Sequence, residues 1–286
     1  MEWIERFNSA INYIEEHLKK DIDYDKLARI ACCSTYHFQR MFSYMAGVPL
    51  SEYIRRRRMS LAAADIQGGN EKIIDIALKY GYDSPTAFNR AFQNIHGIAP
   101  SQARTEGISL KAYPPISFKI TIKGEAEMNY RIEKKDAFKI IGVSKPLHQD
   151  IEENFEIVPQ MWQEAAVNGT IPMLASFMNI QPMGILGVSA CNELKQWKYY
   201  IAAASTLPAP EDFEEYTVPA ATWAIFSGEG QFLSIQELEK RIVTEWLPSS
   251  GYEYGNAPDI EVYLSPDPEN AKYEIWIPVI RKQFGK

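Results

Sequence analysis

Little in this chain points to chemistry built on special residues. Three cysteines in 286 residues, Cys32, Cys33 and Cys191, are too few for a disulfide framework, and no metal-ligand spacing surrounds them. Buried thiols in a reducing cytoplasm are the expectation. No apolar run approaches the roughly 20 residues that span a bilayer. The opening MEWIERFNSA is acidic and amphipathic, unlike a secretory signal. A cytoplasmic protein without a membrane partner is therefore expected. The sequence also shows no nucleophile–base pair, no metal site and no phosphate loop, which predicts a non-enzyme without catalytic residues or cofactor. Positive charge is short as well, with 30 Lys and Arg against 37 Asp and Glu, a net −7. That balance argues against a nucleic-acid binder until it is divided. Residues 1–111 hold 15 basic and 13 acidic side chains, whereas residues 112–286 hold 15 and 24. The halves differ in character, and a clustered positive surface on the first can still meet DNA.

What the chain does have is pattern. At 286 residues, 46% apolar and 23% charged, it suits two globular domains. The stretch STYHFQRMFSYM, residues 34–45, opens on a serine cap and places Phe38, Met41, Phe42 and Met45 at helical spacing. Tyr36, Gln39, Arg40 and Ser43 fall on the opposite face, and Gln and Arg pair bidentately with adenine and guanine edges. A short helix over 23–30 and a turn through Ala31, Cys32 and Cys33 precede it, which predicts a helix-turn-helix. A shift of the sequence by fifty positions repeats the unit. Ser34 falls on Ser84, Phe38 on Phe88, Arg40 on Arg90, Phe42 on Phe92 and Gly47 on Gly97. The second copy exposes Thr86, Asn89, Arg90 and Gln93, and Ser84-Pro85 is a strong helix start. Between the copies lies a long helix, residues 50–66, whose run Arg55–Arg58 is expected to form a solvated face near phosphate.

Residues 5–106 resemble the AraC/XylS family of transcription regulators. The resemblance rests on IIDIALKYGYDSPTAFNRAFQNIHGIAPSQAR, residues 73–104, with Gly81-Tyr82, Phe88-x-Arg90-x-Phe92 and Gly97-x-x-Pro100. It implies two recognition helices in successive major-groove segments of double-stranded promoter DNA, about 34 Å apart. By position, Tyr36, Gln39, Arg40 and Ser43 serve the first helix, and Pro85, Thr86, Asn89 and Arg90 the second. Pro85 and Ala87 depart from the family pattern, so sequence preference is expected to concentrate under the first helix.

Pro114-Pro115 ends helical character, and Ile116–Ile122 alternates as a strand does. The expected division is a DNA-binding domain over 1–107, a linker and leading strand over 108–126, and a second domain over 127–286. The second domain reads as two strand-helix-strand-strand units, hence an α+β sheet with pseudo-twofold symmetry. On its last two strands Glu261, Tyr263, Glu274 and Trp276 alternate with aliphatic residues and are expected to share one face. A carboxylate beside aromatic walls suits a lipophilic cation. The motifs Pro219-x-x-Thr222-x-Ala224-x-Phe226, Asp259-x-Glu261-x-Tyr263 and Glu274-Ile275-Trp276-Ile277-Pro278 resemble the GyrI-like effector-binding fold, as in Rob-type AraC regulators. That resemblance implies a cleft between the halves. Glu274 and Trp276 lead the candidate ligand residues, followed by Tyr263 and Glu261. Tyr200, taken as the mate of Trp276, and Trp223, Trp162 and Phe155 complete the set. The combined expectation is a multidomain transcription regulator that answers a small, lipophilic or cationic effector, in multidrug fashion. Two alternatives stand beside it: a second domain that hydrolyses xenobiotics through Glu274 or Glu261, and one that binds proteins such as gyrase or RNA polymerase.

Overall fold

The structure is a computed structural model that describes residues 3–69, 71–119, 127–148, 151–191, 196–230, 232–265 and 271–282. It divides into two compact units, Met1–Lys119 and Ile120–Lys286.

The first unit is helical. Its elements are α1 (Trp3–Glu16), α2 (Tyr24–Ala31), α3 (Thr35–Ala46), α4 (Leu50–Gln67), α5 (Ile73–Lys79) and α6 (Pro85–His96). Caps fix where they start and stop. Asp23, Ser34 and Ser84 each accept a backbone N–H of the first turn of α2, α3 and α6. Gly47 and Gly97 end α3 and α6 in the left-handed region. Phe38 and Phe42 bury the inner stripe of α3. Phe7 stacks on Phe38 at 4.7 Å, and Phe42 meets Tyr53 at 5.3 Å. Phe88 and Phe92 do the same for α6, in a core with Met59, Ile66, Ile76 and Tyr80.

Three expectations change here. Arg55–Arg58 is only in part a solvated face, because successive side chains point around α4: Arg55 stays exposed, while Arg57 turns inward. Arg57 is buried and pairs with Glu15 at 2.6 Å, and Arg58 donates to the carbonyls of Leu18 and Lys20 beyond α1. Arg55 and Arg56 both bond Glu52. Residues 116–119 are not a strand, since their backbone bonds go to side chains of the helices. Tyr53 accepts the Ile116 N–H, and the Asn8 amide pairs with both backbone groups of Phe118. Residues 120–122 of the expected strand lie outside the described residues. The cysteines are not deeply packed thiols: Cys32 is exposed because it caps α2 in the left-handed turn, and Cys33 and Cys191 are half-buried. Burial still pushes the Cys33 thiol well above its usual range.

The second unit is built on β1 (Tyr130–Lys135), β2 (Phe138–Pro146), α7 (Ile151–Val167), α8 (Thr170–Phe177), β3 (Ile185–Cys191) and β4 (Trp197–Ala204). Then follow β5 (Glu214–Val218), β6 (Ala221–Gly230), α9 (Phe232–Arg241) with a π-helical turn over Ile242–Trp246, β7 (Tyr252–Tyr254), β8 (Asp259–Tyr263) and β9 (Ala271–Arg281). The antiparallel sheet runs β1-β6-β9-β8-β3-β4-β2-β5, with β7 added on β9. This order reads as two strand-helix-strand-strand halves joined edge to edge, as the sequence predicts. The join is the β3–β8 ladder, where Gly187 lies directly opposite Glu261.

Candidate DNA and effector sites

Each helix-turn-helix presents a helix whose inner stripe is locked by paired phenylalanines, so its outer side chains are held in place. Pro85, Thr86, Asn89 and Arg90 are exposed on α6. On α3, Tyr36, Arg40 and Ser43 are half-buried, and Arg40 donates through Nε to the Tyr44 hydroxyl at 3.2 Å. Gln39 departs from the expected exposed face and is buried. It and His37 are the sequence neighbours of Phe38 and flank the aromatic stripe, which makes the buried arc of α3 wider than its apolar residues indicate. The more open outer surface therefore belongs to α6.

In the second unit the strand register decides which side chains meet. Residues directly opposite in a ladder share a face. Ile260 pairs with Trp276 and Val262 with Glu274, while Glu261 pairs with Ile275 and Tyr263 with Tyr273. The single polar face expected from alternation is thus two faces. Glu274, Trp276, Trp223 and Tyr200 lie on one, and Glu261 and Tyr263 on the other, beneath the helices.

Glu274 has both oxygens engaged. It accepts from Arg131 at 2.9 Å and from the Trp276 indole at 2.8 Å. Arg131 also pairs with Glu133, which pairs with Lys135, whose ammonium stands 5.6 Å over the Trp276 ring. Lys135 and then Arg131 hold the Glu133 carboxyl below its ordinary range, and Glu274 raises the Arg131 guanidinium further. Trp223 is fully buried 5.9 Å from Trp276, and its indole N–H has no hydrogen-bond partner among the described residues. Tyr200 packs on Tyr216 at 5.4 Å, with its hydroxyl pushed up by burial. Ile201 lies opposite Gly187, as Ile275 lies opposite Glu261; superposed without a gap, the hairpins set Tyr199 on Tyr273 and Tyr200 on Glu274, two residues from the Trp276 expected as its mate.

The helix-covered face holds a different constellation. Glu261 accepts the Tyr199 hydroxyl at 3.1 Å and the Tyr263 hydroxyl at 2.9 Å, both on Oε2. Trp162 of α7 donates its indole N–H to Tyr199 at 2.9 Å and meets the Tyr263 ring edge-on at 4.7 Å. Met161 and Ala165, a turn apart on α7, anchor the helix against Tyr199, Ile201 and Ala203. The Phe155 side chain lies outside the described residues. The structure thus brings Glu261, Tyr263 and Trp162 together and separates Glu274, Trp276, Trp223 and Tyr200 from them. Tyr199 is the member that sequence reasoning missed, although its place beside Tyr200 on a buried strand was the available signal. Chemically, an anionic oxygen fixed by two phenols beside an indole and two phenol rings offers charge pairing and cation–π attraction to one ligand.

Both units have counterparts among known proteins. Residues 128–280 match the GyrI-like small molecule binding domain, and residues 27–106 match a helix-turn-helix domain. HTH-type transcriptional activator AarP of Providencia stuartii is 42% identical over 92 residues, which is 32% of this chain and 68% of that protein. Right origin-binding protein of Escherichia coli K12 is 26% identical over 292 residues, 94% of this chain and 96% of that one. A solved AraC-type transcriptional regulator from Chromobacterium violaceum aligns with 35% of this chain and 89% of its own, at 23% identity and a TM-score of 0.33. The chain belongs to the GyrI-like family of small-molecule-binding proteins, in the Rob-type arrangement that sets an AraC-type DNA-binding domain ahead of the effector domain.

Proposed function

We propose that this transcription regulator senses lipophilic cations through Glu261 and reads promoter DNA through α3 and α6. The observation that carries the effector reading is the Glu261 carboxylate, held by the hydroxyls of Tyr199 and Tyr263 beside Trp162. A neutral aromatic ligand gains only stacking and area there, whereas a cation adds charge pairing. Glu274 faces the cationic Arg131 and the Trp276 indole N–H, whereas Glu261 stands among aromatic rings, and in this reading it replaces Glu274 as the leading ligand group. On the DNA side, Tyr36, Arg40 and Ser43 of α3 and Pro85, Thr86, Asn89 and Arg90 of α6 are the contact set, with Gln39 dependent on rearrangement of its buried position. RNA polymerase is the natural third partner, since a regulator bound beside a promoter acts on the enzyme that uses it.

Calorimetric titration of the full chain with methyltriphenylphosphonium and with neutral triphenylphosphine oxide tests the effector reading. The cation is expected to bind at least tenfold more tightly, about 1.4 kcal/mol, and Glu261→Gln is expected to erase the difference. Equal affinity for the two compounds, or a difference that survives Glu261→Gln, refutes it. Hydrolysis of a strained xenobiotic that disappears in Glu261→Gln would instead make the site catalytic.

A further inference from the structure

The two halves of the sheet are related by a pseudo-twofold axis, and the ladders locate it. Superposed without a gap, on one common offset, the two hairpins match at Gly187 on Glu261, Ile201 on Ile275 and Tyr199 on Tyr273. Gly187 and Glu261 are also directly opposite each other in the β3–β8 ladder. The axis therefore passes between these two residues, and the carboxylate at the centre of the sheet has a glycine as its mate.

The glycine is needed for space. A Cβ at Gly187 would lie 2.2 Å from the Tyr199 hydroxyl, 2.9 Å from Glu261 Oε2 and 3.1 Å from Tyr199 Cζ. No methyl fits there while Tyr199 reaches Glu261. The other half shows the contrast. Tyr273, the mate of Tyr199, lies over its own glycine, Gly228, but donates its hydroxyl to Ser234 of α9. One tyrosine of the pair thus serves the carboxylate and the other serves a helix. Directly opposed residues stand about 4.5–5.5 Å apart at Cβ, so a second carboxylate at this point would repel the first.

We propose that Gly187 is the positioning residue that makes the effector site asymmetric and singly charged: it leaves one carboxylate on the axis and opens the space in which Tyr199 turns its hydroxyl onto that carboxylate. The inference rests on the effector reading above for its ligand, a lipophilic monocation, but its geometry can be tested without one.

The test uses Gly187→Ala, Tyr199→Phe and the double variant in the full chain. The first readout is the Trp162 indole N–H resonance, identified by its loss in Trp162→Phe. It is expected to move in Gly187→Ala as it does in Tyr199→Phe, while the other indole resonances stay in place. The second is the affinity ratio between methyltriphenylphosphonium and triphenylphosphine oxide, expected to fall at least fivefold in Gly187→Ala. The double variant should bind no worse than Tyr199→Phe alone, because the methyl then displaces no hydroxyl. An unmoved Trp162 resonance in Gly187→Ala overturns the inference, and so do losses that simply add in the double variant. If Gly187→Ala does not fold, the double variant decides alone: folding restored by removal of one hydroxyl supports the inference, and failure to fold opposes it. A wild-type chain that binds neither compound, with the resonance moved in Gly187→Ala, removes the effector reading and leaves the positioning role standing.

Discussion

His96 shows how much a single side chain in this chain is asked to do. Its Nδ1 accepts the Lys111 N–H at 3.2 Å, so Nε2 carries the proton and faces the Met59 carbonyl at 3.2 Å. The Lys111 contact needs the neutral ring, and burial, the largest influence, holds the imidazole below its ordinary 6.5 although the Met59 carbonyl favours the charged form. The unfolded chain then binds the proton more readily than the folded one. Stability is complete above about pH 6.5 and falls as the pH drops from there toward the lowered folded value. Denaturation followed between pH 7.5 and 5 should show this slope, and His96→Gln should flatten it. At the effector site the matching residue-scale expectation concerns Tyr263. Tyr263→Phe removes a hydroxyl bonded to a carboxylate, a contact of about 1.5–3 kcal/mol, yet keeps the ring against Trp162. Cation affinity should fall roughly tenfold, while the affinity for a neutral aromatic stays near its starting value in the same titration.

At the level of elements, the two recognition helices depend on their serine caps. Ser84→Ala is expected to cost about 1 kcal/mol and to speed amide exchange in the first turn of α6, with little change in α3. The segment 110–119 is a second such case. It is fastened by side chains: Arg57 holds the Tyr113 carbonyl, Ser60 the Tyr113 N–H, Tyr53 the Ile116 N–H and Asn8 both groups of Phe118. Asn8→Ala should release Phe118 first, seen as faster exchange at its amide in the full chain. Helices were legible in the sequence because their periodicity, caps and terminal glycines all act within a few residues. The strap was not, since alternation over Ile116–Lys119 is the same whether the backbone bonds to a strand or to Tyr53 and Asn8. Sheet faces posed the same difficulty. Alternation along β8 and along β9 is local, but whether Glu261 joins Glu274 depends on a register set across the seven residues between the two strands. Gly187 left no trace at all, because a glycine's purpose lies in what occupies the space above it.

For the whole molecule, the division of charge is the useful quantity. The acidic excess lies in residues 112–286 and the first unit is close to balanced, so DNA binding must come from a few placed cations rather than from bulk attraction. Fluorescence anisotropy against promoter DNA should show Arg90→Ala lowering affinity and reducing the slope of log K against log salt by about one. Arg40→Ala should also weaken binding, with the effect tempered by its existing bond to Tyr44. If an effector changes DNA affinity by some factor, DNA must change effector affinity by the same factor. Measuring both legs on one preparation checks that the two units act as one switch.

The glycine at the centre of the sheet also bears on how such a domain can diversify. A chain that duplicated its first half would set glycine against glycine and have no charge to offer. A chain that duplicated its second half would set Glu261 against its own copy, and the pair would share a proton or draw in a divalent ion. The fold can therefore offer no charge, one or two at the centre of its sheet according to what stands at a single mated position, with everything around it left as it was.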